Sequence, residues 1–569
     1  MSAFASWRPE SRPRASDQFR VHVLAHACAR LTLLYSVKIP LDAVTTPSLW
    51  YLYNGKIIHA VWVRAGTSAP SAAPSVPAAH VASMLSQGVD LLQVTAAIDN
   101  SAKLSRSTKI LYGLGTIAFG VKDQGFNFLL LIFYNQVIGL PAQAVGSAIL
   151  VALLIDAFLD PVVGQISDNW RSRWGRRHPF MYAAAIPAAL SYALLWTPPK
   201  WSTEGVLAYL IVTTIVIRSF ITLYEIPSSA LGAELTRDYD ERTSLMSIRY
   251  FFGWLGGLGM ALAALQIFLR PDATHPVGQL NPTGYLHYGM AAGLVILVAI
   301  LVSTSGTHRF IARLSVPAAH KHTIGELARE MISTLSHRPF LVLLLTAFCN
   351  AAGQGLVQSL SLYVSTYFWG LGAAQISLFV FAGFVATILA SVSATPLSRR
   401  IGKKTAAICC QLLALTFAAL PILLRLLNLF PGNEERALLP ILMVFTVLST
   451  TFSIMTVILI ASMMADVVED SEKRTGRRSE GLFMAANAFV NKAVSGLGIF
   501  TASMMLAFVG FPDGASPGQV PADVIRNLGI TYVPFLAVLY GAAALMMSRY
   551  SISRSSHEQT LRELAATKP

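Results

Sequence analysis

Beyond residue 105, long apolar runs alternate with short polar segments along the chain. A helix that crosses a bilayer needs about 20 mostly apolar residues, and each run is about that long. The pattern predicts twelve such helices, at 108–134, 142–166, 179–198, 205–234, 246–269, 285–304, 339–367, 373–395, 404–428, 437–466, 481–508 and 527–549. The predicted fold class is an all-α membrane protein.

Composition agrees with a protein that crosses the bilayer many times. Of its 569 residues, 54% are hydrophobic and 13% are charged, whereas soluble domains have about 25% charged residues. The formal net charge of +14 could suit nucleic acid, but the basic residues lie in short clusters between apolar runs. Such clusters are typical of loops that set membrane topology, so the predicted partner is the lipid bilayer and no nucleic acid.

Lysine and arginine are distributed unequally between the two sides of the predicted membrane. The loops after the even-numbered helices hold nineteen of these residues, and the opposite loops hold five. Cytoplasmic loops carry the excess of positive charge. We therefore expect a multi-pass protein of the cell's inner membrane with both termini in the cytoplasm.

A short basic motif recurs at the same point of two halves of the chain. Arg173-Trp-Gly-Arg-Arg177 follows the second helix, and Arg400-Ile-Gly-Lys-Lys404 follows the eighth. Parallel six-helix repeats are typical of two-half transporters. The predicted domains are a six-helix bundle at 106–304, a central cytoplasmic loop at 305–338, a second bundle at 339–550 and a cytoplasmic tail at 551–569.

Residues 1–105 do not share the apolar pattern of the rest of the chain. The stretch 21–38 is only moderately apolar, and 66–83 is rich in Ala, Ser and Pro, a composition typical of unpacked segments. We expect residues 1–105 to be an N-terminal extension that is largely disordered, or the natural start to be Met84.

Ionisable residues lie in the middle of several predicted helices. Such a residue at the bilayer centre costs about 2.5–3.5 kcal/mol on insertion scales, so it usually faces a cavity or a partner. The set comprises Lys122 and Asp123 in the first helix, Asp156 and Asp160 in the second, Arg218 and Glu225 in the fourth, Arg249 in the fifth, and Lys492 beside Asn491 in the eleventh.

Spacing groups three of the carboxylates into a candidate cation site. Asp156 and Asp160 are four residues apart and share one face of a helix, as do Thr222 and Glu225, three apart. Three carboxylates and a hydroxyl suit a hard monovalent cation or a shared proton. Lys492 is a candidate base that would neutralise them when no ion is bound. The alternative is that these charges only pair with one another to hold helices together, and it stays open for Arg249 in particular.

Motifs that would indicate an enzyme are weak. Gly514-Ala-Ser-Pro-Gly518 has the G-x-S-x-G spacing of a hydrolase, but no predicted strand precedes it, so we interpret it as a turn. No His/Cys/Glu cluster has catalytic metal spacing, and no phosphate-binding loop precedes a lysine. Neither an enzyme nor a bound cofactor is predicted.

The charged residues and their neighbours resemble the glycoside–pentoside–hexuronide:cation symporters of the major facilitator superfamily. The resemblance covers about residues 107–550. It is carried by Asp156-Ala-Phe-Leu-Asp160-Pro, by Thr222-Leu-Tyr-Glu225-Ile-Pro227, by the pair Lys122-Asp123, and by Arg249 and Lys492.

The resemblance implies a major facilitator fold and symport of a sugar or glycoside with a monovalent cation, Na⁺ or H⁺, by a monomer. The cation ligands would be Asp156, Asp160, Thr222 and Glu225, and for Na⁺ the metal ligands would be Asp156, Asp160 and Glu225. The residues expected at the substrate are Asp123, Lys122, Glu225 and Arg249, with Lys492 and Asn491 as charge partners. The residues expected to form a cytoplasmic gate are Arg173, Arg176, Arg177 and Arg400.

Two positions depart from the family's melibiose carriers. Glu225 stands where they have aspartate, and Ser229 stands where they have a tryptophan. A different cargo, such as a lysophospholipid, is therefore the alternative prediction. A receptor or membrane enzyme would have only the G-x-S-x-G motif in its support.

Overall fold

The computed structural model describes residues 104–236, 239–311, 338–475 and 496–552, together with the backbone of five short strands before residue 66. The chain divides into two compact units. One comprises Met1–Leu104 with Thr236–Asp238, and the other comprises Ser105–Leu235 with Tyr239–Pro569.

The first unit contains two small antiparallel sheets. The strands are β1 (Phe19–Leu24), β2 (Leu34–Ile39), β3 (Leu52–Tyr53), β4 (Lys56–Ile57) and β5 (Trp62–Ala65). The larger sheet has the order β2-β1-β5, in which Phe19 lies opposite both Ile39 and Ala65, and β3 pairs with β4. The remainder of the N-terminal extension, including Met84, lies outside the described residues.

The second unit is helical, because backbone N–H and C=O groups in lipid must find their hydrogen bonds within the chain. In its described residues the first half contains α1 (Arg106–Val137), α2 (Ala142–Asn169), α3 (His178–Leu195), α4 (Thr203–Leu235), α5 (Tyr239–Ala263, continued by Ala264–Phe268) and α6 (Pro282–His308).

The second half repeats this arrangement. Its described helices are α7 (Arg338–Phe368), α8 (Ala373–Ile401), α9 (Lys403–Leu426), α10 (Leu438–Thr475), α11 (Gly496–Phe508) and α12 (Ala522–Ser548). Across the described residues, eleven helices are long and apolar enough to span a membrane, and α11 lies within the remaining predicted span. The predicted all-α membrane fold is confirmed.

Two helices extend well past their predicted ends. We predicted 246–269 and 437–466, whereas α5 begins at Tyr239 and α10 ends at Thr475. Hydropathy marks only the part of a helix that contacts lipid. Helical hydrogen bonding continues through the polar residues beyond it.

One backbone feature recurs at the same point of the two halves. α1 and α7 both end in a π-helical turn, at Phe133–Val137 and Val364–Phe368. A glycine with positive φ follows each turn, at Gly139 (86°) and Gly370 (66°). Both pairs are 231 positions apart, from 133 to 364 and from 139 to 370. This offset identifies equivalent positions at the ends of α1 and α7.

A second π-helical turn, Gly125–Leu129, lies in the middle of α1. Such turns widen a helix locally and often occur at functional sites. This one follows directly after Lys122 and Asp123, two of the ionisable residues inside the membrane.

Candidate functional site

Asp156 on α2 and Arg218 on α4 form an ion pair inside the first half. Arg218 donates to Asp156 Oδ2 from Nη2 at 2.8 Å and from Nε at 3.1 Å. Their side chains are 3% and 6% exposed, and the guanidinium also lies 5.6 Å from the centre of the Phe126 ring on α1. The sequence analysis listed Arg218 among the ionisable residues of the fourth helix, but it did not reveal Arg218 as the partner of Asp156.

Thr222 links the two aspartates of the candidate cation site. Its Oγ1 lies 2.8 Å from Asp156 Oδ1 and 3.0 Å from Asp160 Oδ1. A hydroxyl has one hydrogen, so Thr222 donates to only one of them at a time. The structure thus brings together three of the four residues predicted to bind the cation.

Glu225, the fourth predicted ligand, lies three residues after Thr222 on α4 and is half-buried. Over the described residues, no group of three or more His, Cys, Asp or Glu side chains is close enough to hold a metal ion. The three carboxylates predicted as Na⁺ ligands, Asp156, Asp160 and Glu225, therefore do not form one metal cage in this geometry, in which Arg218 occupies one oxygen of Asp156.

Lys122 and Asp123 pair with each other on α1. Lys122 Nζ lies 2.5 Å from Asp123 Oδ1, and the two side chains are 5% and 54% exposed. A carboxylate in mid-membrane is expected to face a cavity rather than lipid. The Asp123 carboxylate is therefore accessible, whereas the Lys122 side chain is buried.

Arg249 joins three helices by packing and hydrogen bonding. From α5 it donates to Tyr112 Oη on α1 at 2.9 Å and to Ser228 Oγ on α4 at 3.3 Å. Its guanidinium also lies 5.3 Å from the centre of the Tyr112 ring and 5.8 Å from that of Phe119. These contacts describe a residue that holds helices together, and a role at the substrate stays a prediction. The predicted charge partners Lys492 and Asn491 lie outside the described residues.

The basic motif after α2 is held by a carboxylate at the end of α4. Arg176 and Arg177 both bind Glu234 Oε1, with Arg177 Nε at 2.7 Å, and Arg177 also lies 3.0 Å from Asp168. Arg177 is buried, whereas Arg173 is exposed. Two of the predicted gate arginines of this half, Arg176 and Arg177, thus bind within their own half.

The equivalent motif of the second half is held in the same way. Lys403 Nζ lies 2.7 Å and 2.8 Å from the two carboxylate oxygens of Asp466 on α10, and Arg400 is exposed. Gly175 and Gly402 inside the two motifs both have positive φ, at 73° and 82°. Glu234 and Asp466 were missed in the sequence. The signal that could have found them is one acidic residue at the same end of the fourth and tenth helices.

The two halves contact each other on the side opposite these arginine-rich loops. Asn135, near the end of α1, donates to Asp513 Oδ1 at 2.6 Å, in the segment between α11 and α12. Tyr363 on α7 donates to Asn135 Oδ1 at 2.8 Å. Since Asn135 is 0% exposed, these bonds form inside the interface between the halves.

Gln136 extends this contact by one residue. Its Oε1 accepts from the backbone N–H of Ala515 at 3.0 Å and from Tyr367 Oη at 3.2 Å. Gly514 and Gly518 have φ of 65° and 90°, so the G-x-S-x-G motif is a turn, as we interpreted it. We call Asn135, Gln136, Tyr363, Tyr367 and 512–515 the outer clasp.

Comparison with known proteins gives one consistent result. The sequence model of the family described as MFS/sugar transport protein matches residues 111–554. The chain is 27% identical over 476 residues to the inner membrane symporter YicJ of Escherichia coli (strain K12), covering 82% of this chain and 96% of the relative. It is 24% identical over 454 residues to the isoprimeverose transporter of Lactiplantibacillus pentosus, covering 79% and 89%.

A solved structure supports the same fold. The inward open conformation of the xylose transporter XylE from E. coli superposes with a TM-score of 0.54 at 15% identity, covering 80% of this chain and 98% of that one. The family match and the named relatives confirm a transporter rather than an enzyme. The predicted resemblance to the glycoside–pentoside–hexuronide:cation symporters is confirmed as well, and the chain belongs to the MFS/sugar transport protein family of the major facilitator superfamily.

Proposed function

We propose that this protein takes up a sugar or glycoside together with a monovalent cation, Na⁺ or H⁺, by alternating access. The observation that carries the proposal is the buried cluster of Asp156, Arg218, Thr222 and Asp160. Charged groups inside a membrane bundle are costly and typically mark ion pathways or proton relays. Two relatives whose names read symporter and isoprimeverose transporter support the same class of function.

In the proposed cycle the cation binds at Asp160 and Thr222 and competes with Arg218 for Asp156. The Thr222 hydroxyl has one hydrogen for two carboxylates. A proton or Na⁺ at Asp160 therefore changes which of the two carboxylates accepts the hydrogen bond from Thr222. This exchange changes the link between α2 and α4. Binding of the ion would thereby set the position of α4, which also carries Glu225.

The substrate is proposed to bind beside this cluster. Asp123 on α1 and Glu225 on α4 are carboxylates that can accept hydrogen bonds from sugar hydroxyls, and charge-assisted bonds are about twice as strong as neutral ones. Because Glu225 is one turn from Thr222, ion and substrate would share α4. Linkage then requires that each raise the affinity for the other by the same factor.

The contacts between the halves suggest which state this structure represents. The outer clasp closes the side opposite the arginine-rich loops, and the bonds of Arg176 and Arg177 stay within one half. With those loops placed in the cytoplasm, the state is inward-facing. Its counterpart would open the outer clasp and bring the arginine-rich loops of the two halves together as the cytoplasmic gate.

The test is uptake by the full-length protein in proteoliposomes. Labelled glucosides, galactosides, xylosides, uronides and a lysophospholipid would each be tested under an imposed Na⁺ gradient and, separately, an imposed proton gradient. We expect uphill accumulation of one glycoside with one of the two ions. Uptake of the lysophospholipid alone would overturn the proposed cargo, and no accumulation under either gradient would overturn the proposed coupling.

A further inference from the structure

Two buried tyrosines, Tyr192 on α3 and Tyr288 on α6, connect their helices to the backbone of α1. They are 0% and 1% exposed. The Tyr192 hydroxyl donates to the carbonyl oxygen of Val121 at 3.3 Å and lies 3.0 Å from the Tyr288 hydroxyl. Because a hydroxyl has one hydrogen, Tyr192 uses its own on Val121, and Tyr288 therefore donates to Tyr192. We call Tyr192 and Tyr288 the tyrosine pair.

The carbonyl that accepts from the tyrosine pair lies just before the π-helical turn Gly125–Leu129 in the middle of α1. At this point the Gly125 N–H is shared between the carbonyl oxygens of Lys122 and Val121. Buried backbone carbonyls need hydrogen-bond donors, and a shared N–H serves each of the two carbonyls less well than a full helical bond. The Tyr192 hydroxyl therefore completes the hydrogen bonding of the backbone where α1 changes from an α-helix to a π-helical turn.

Two glycines of α1 make the close contacts around this turn possible. A Cβ atom at Gly125 would lie 2.0 Å from the Tyr192 hydroxyl oxygen and 3.0 Å from that of Tyr288. A Cβ atom at Gly120 would lie 2.0 Å from the carbonyl oxygen of Gly253 on α5. The segment that carries Lys122 and Asp123 is thus held between the backbone of α5 and the tyrosine pair.

The π-helical turn sets the direction of Asp123 relative to the buried cluster on α2 and α4. Such a turn contains one residue more than a turn of α-helix, and each residue of an α-helix adds about 100° of rotation. The parts of α1 before and after the turn are therefore rotated relative to those of an uninterrupted helix. Asp123 precedes the turn and its side chain is 54% exposed, whereas the ring of Phe126, inside the turn, lies 5.6 Å from the Arg218 guanidinium.

We propose that Tyr192 and Tyr288 are positioning residues for the transport site. By stabilising the π-helical turn, they keep the Asp123 carboxylate on the accessible side of α1 and away from the buried side on which Lys122 lies. Neither tyrosine contacts the glycoside in this account. The inference rests on the proposed function, in which Asp123 accepts hydrogen bonds from sugar hydroxyls.

Thiol labelling tests this inference without a substrate or an ion gradient. In the full-length protein the four natural cysteines are replaced by serine, and Asp123→Cys is introduced; the natural cysteines are Cys28, Cys349, Cys409 and Cys410. The measurement is the rate at which MTSET, a water-soluble cationic thiol reagent, modifies position 123. It is made in this parent protein and after adding Tyr192→Phe, Tyr288→Phe or Tyr285→Phe.

Tyr285→Phe is the matched control. Tyr285 also lies on α6 and is 0% exposed, and its hydroxyl also donates to a backbone carbonyl, that of Gln279 at 2.9 Å. That carbonyl lies before α6 and not on α1. The control therefore removes one buried tyrosine hydrogen bond of the same kind without touching the π-helical turn.

We expect Tyr192→Phe, which removes both hydrogen bonds of the tyrosine pair, to lower the labelling rate about tenfold. Tyr288→Phe removes one of the two bonds and should lower the rate about threefold. Tyr285→Phe should leave the rate unchanged, with thermal unfolding reporting that each variant is folded. Equal rates in all four proteins, or an equal loss in Tyr285→Phe, would overturn the positioning role.

Transport kinetics separate this inference from the proposed function. For the glycoside that the wild type accumulates, Tyr192→Phe should raise KM about tenfold without a comparable loss of the maximal rate, because a misplaced Asp123 weakens binding. An unchanged KM would overturn the role of the tyrosine pair at the substrate. The expected labelling rates in a protein that accumulates no glycoside would keep the positioning of Asp123 and overturn only the proposed function.

Discussion

Arg218 on α4 places two N–H donors on one carboxylate oxygen of Asp156 on α2, at 2.8 Å and 3.1 Å. Both side chains are buried. The other oxygen of Asp156 accepts from Thr222. The charge of Asp156 is therefore matched within the first half, and any cation that reaches it must displace a partner already in place.

Asp156 and Arg218 are predicted to have non-additive effects on the stability of the protein. Arg218→Met leaves a buried carboxylate unpaired, which typically costs about 3–5 kcal/mol, whereas replacing both partners by apolar residues can be nearly neutral. We expect Arg218→Met to lower the thermal stability of the purified protein, and Asp156→Leu with Arg218→Met to restore much of it. A double variant whose loss equals the sum of the two single losses would contradict the pairing.

Thr222 is predicted to set the affinity for the coupling ion. Thr222→Val removes the hydroxyl between Asp156 and Asp160 and keeps the shape. We expect the cation concentration for half-maximal uptake to rise about tenfold, consistent with the loss of a hydrogen bond to a charged group. Thr222→Ser is the matched control and should keep the wild-type cation dependence. If the valine variant has the same cation dependence as the serine variant, Thr222 is not an ion ligand.

The two acidic residues that hold the basic motifs should differ in their contribution to stability. Arg177 is 6% exposed beside Glu234, whereas Lys403 is 37% exposed beside Asp466. Removing a partner from a buried charge costs about 3–5 kcal/mol, and an exposed pair contributes about 0–1 kcal/mol. Thermal unfolding should therefore show a large loss for Glu234→Gln and a small one for Asp466→Asn. The reverse order would contradict the burial argument.

The outer clasp is predicted to determine the fraction of molecules in the inward-facing state. Gln136→Leu removes the acceptor of Ala515 N–H and of Tyr367, bonds that contribute about 1 kcal/mol each. We expect a population shift toward the outward-open state of about fivefold or more. Pulsed electron spin resonance between spin labels at the exposed positions Gln143 and Asp523 should show longer distances.

Ser516→Ala is the control for that measurement, since its side chain is exposed and in the same turn. It should leave the distance distribution as in the wild type. An unchanged distribution in Gln136→Leu would mean that the clasp does not hold the two halves together.

Hydropathy predicted the helices well because membrane spans are the strongest pattern a sequence can carry. Helical spacing placed Asp156 and Asp160 on one face of α2, and Thr222 with Glu225 on one face of α4. It could not pair Arg218 with Asp156, because their contact depends on how α2 and α4 pack. For the same reason the contacts of Arg249 with Tyr112 and Ser228 appear only in the fold.

Uncharged site residues are the harder case. A carboxylate in an apolar run is conspicuous, whereas Asn135 and Gln136 resemble ordinary amides near the end of a helix. Their significance depends on their hydrogen bonds to the second half, to Asp513 and to the backbone of Ala515. Those bonds appear only in the fold.

The most direct test of the central claim separates coupling from transport in a single variant. The measurement compares ion-driven accumulation of the transported glycoside with its downhill exchange across the same proteoliposomes, for wild type and Asp160→Asn. We predict that Asp160→Asn exchanges the glycoside but no longer accumulates it above equilibrium, because the amide carries no charge to hold the ion. Wild-type accumulation by Asp160→Asn would contradict the claim that the cluster of Asp156, Thr222 and Asp160 couples the cation to the sugar.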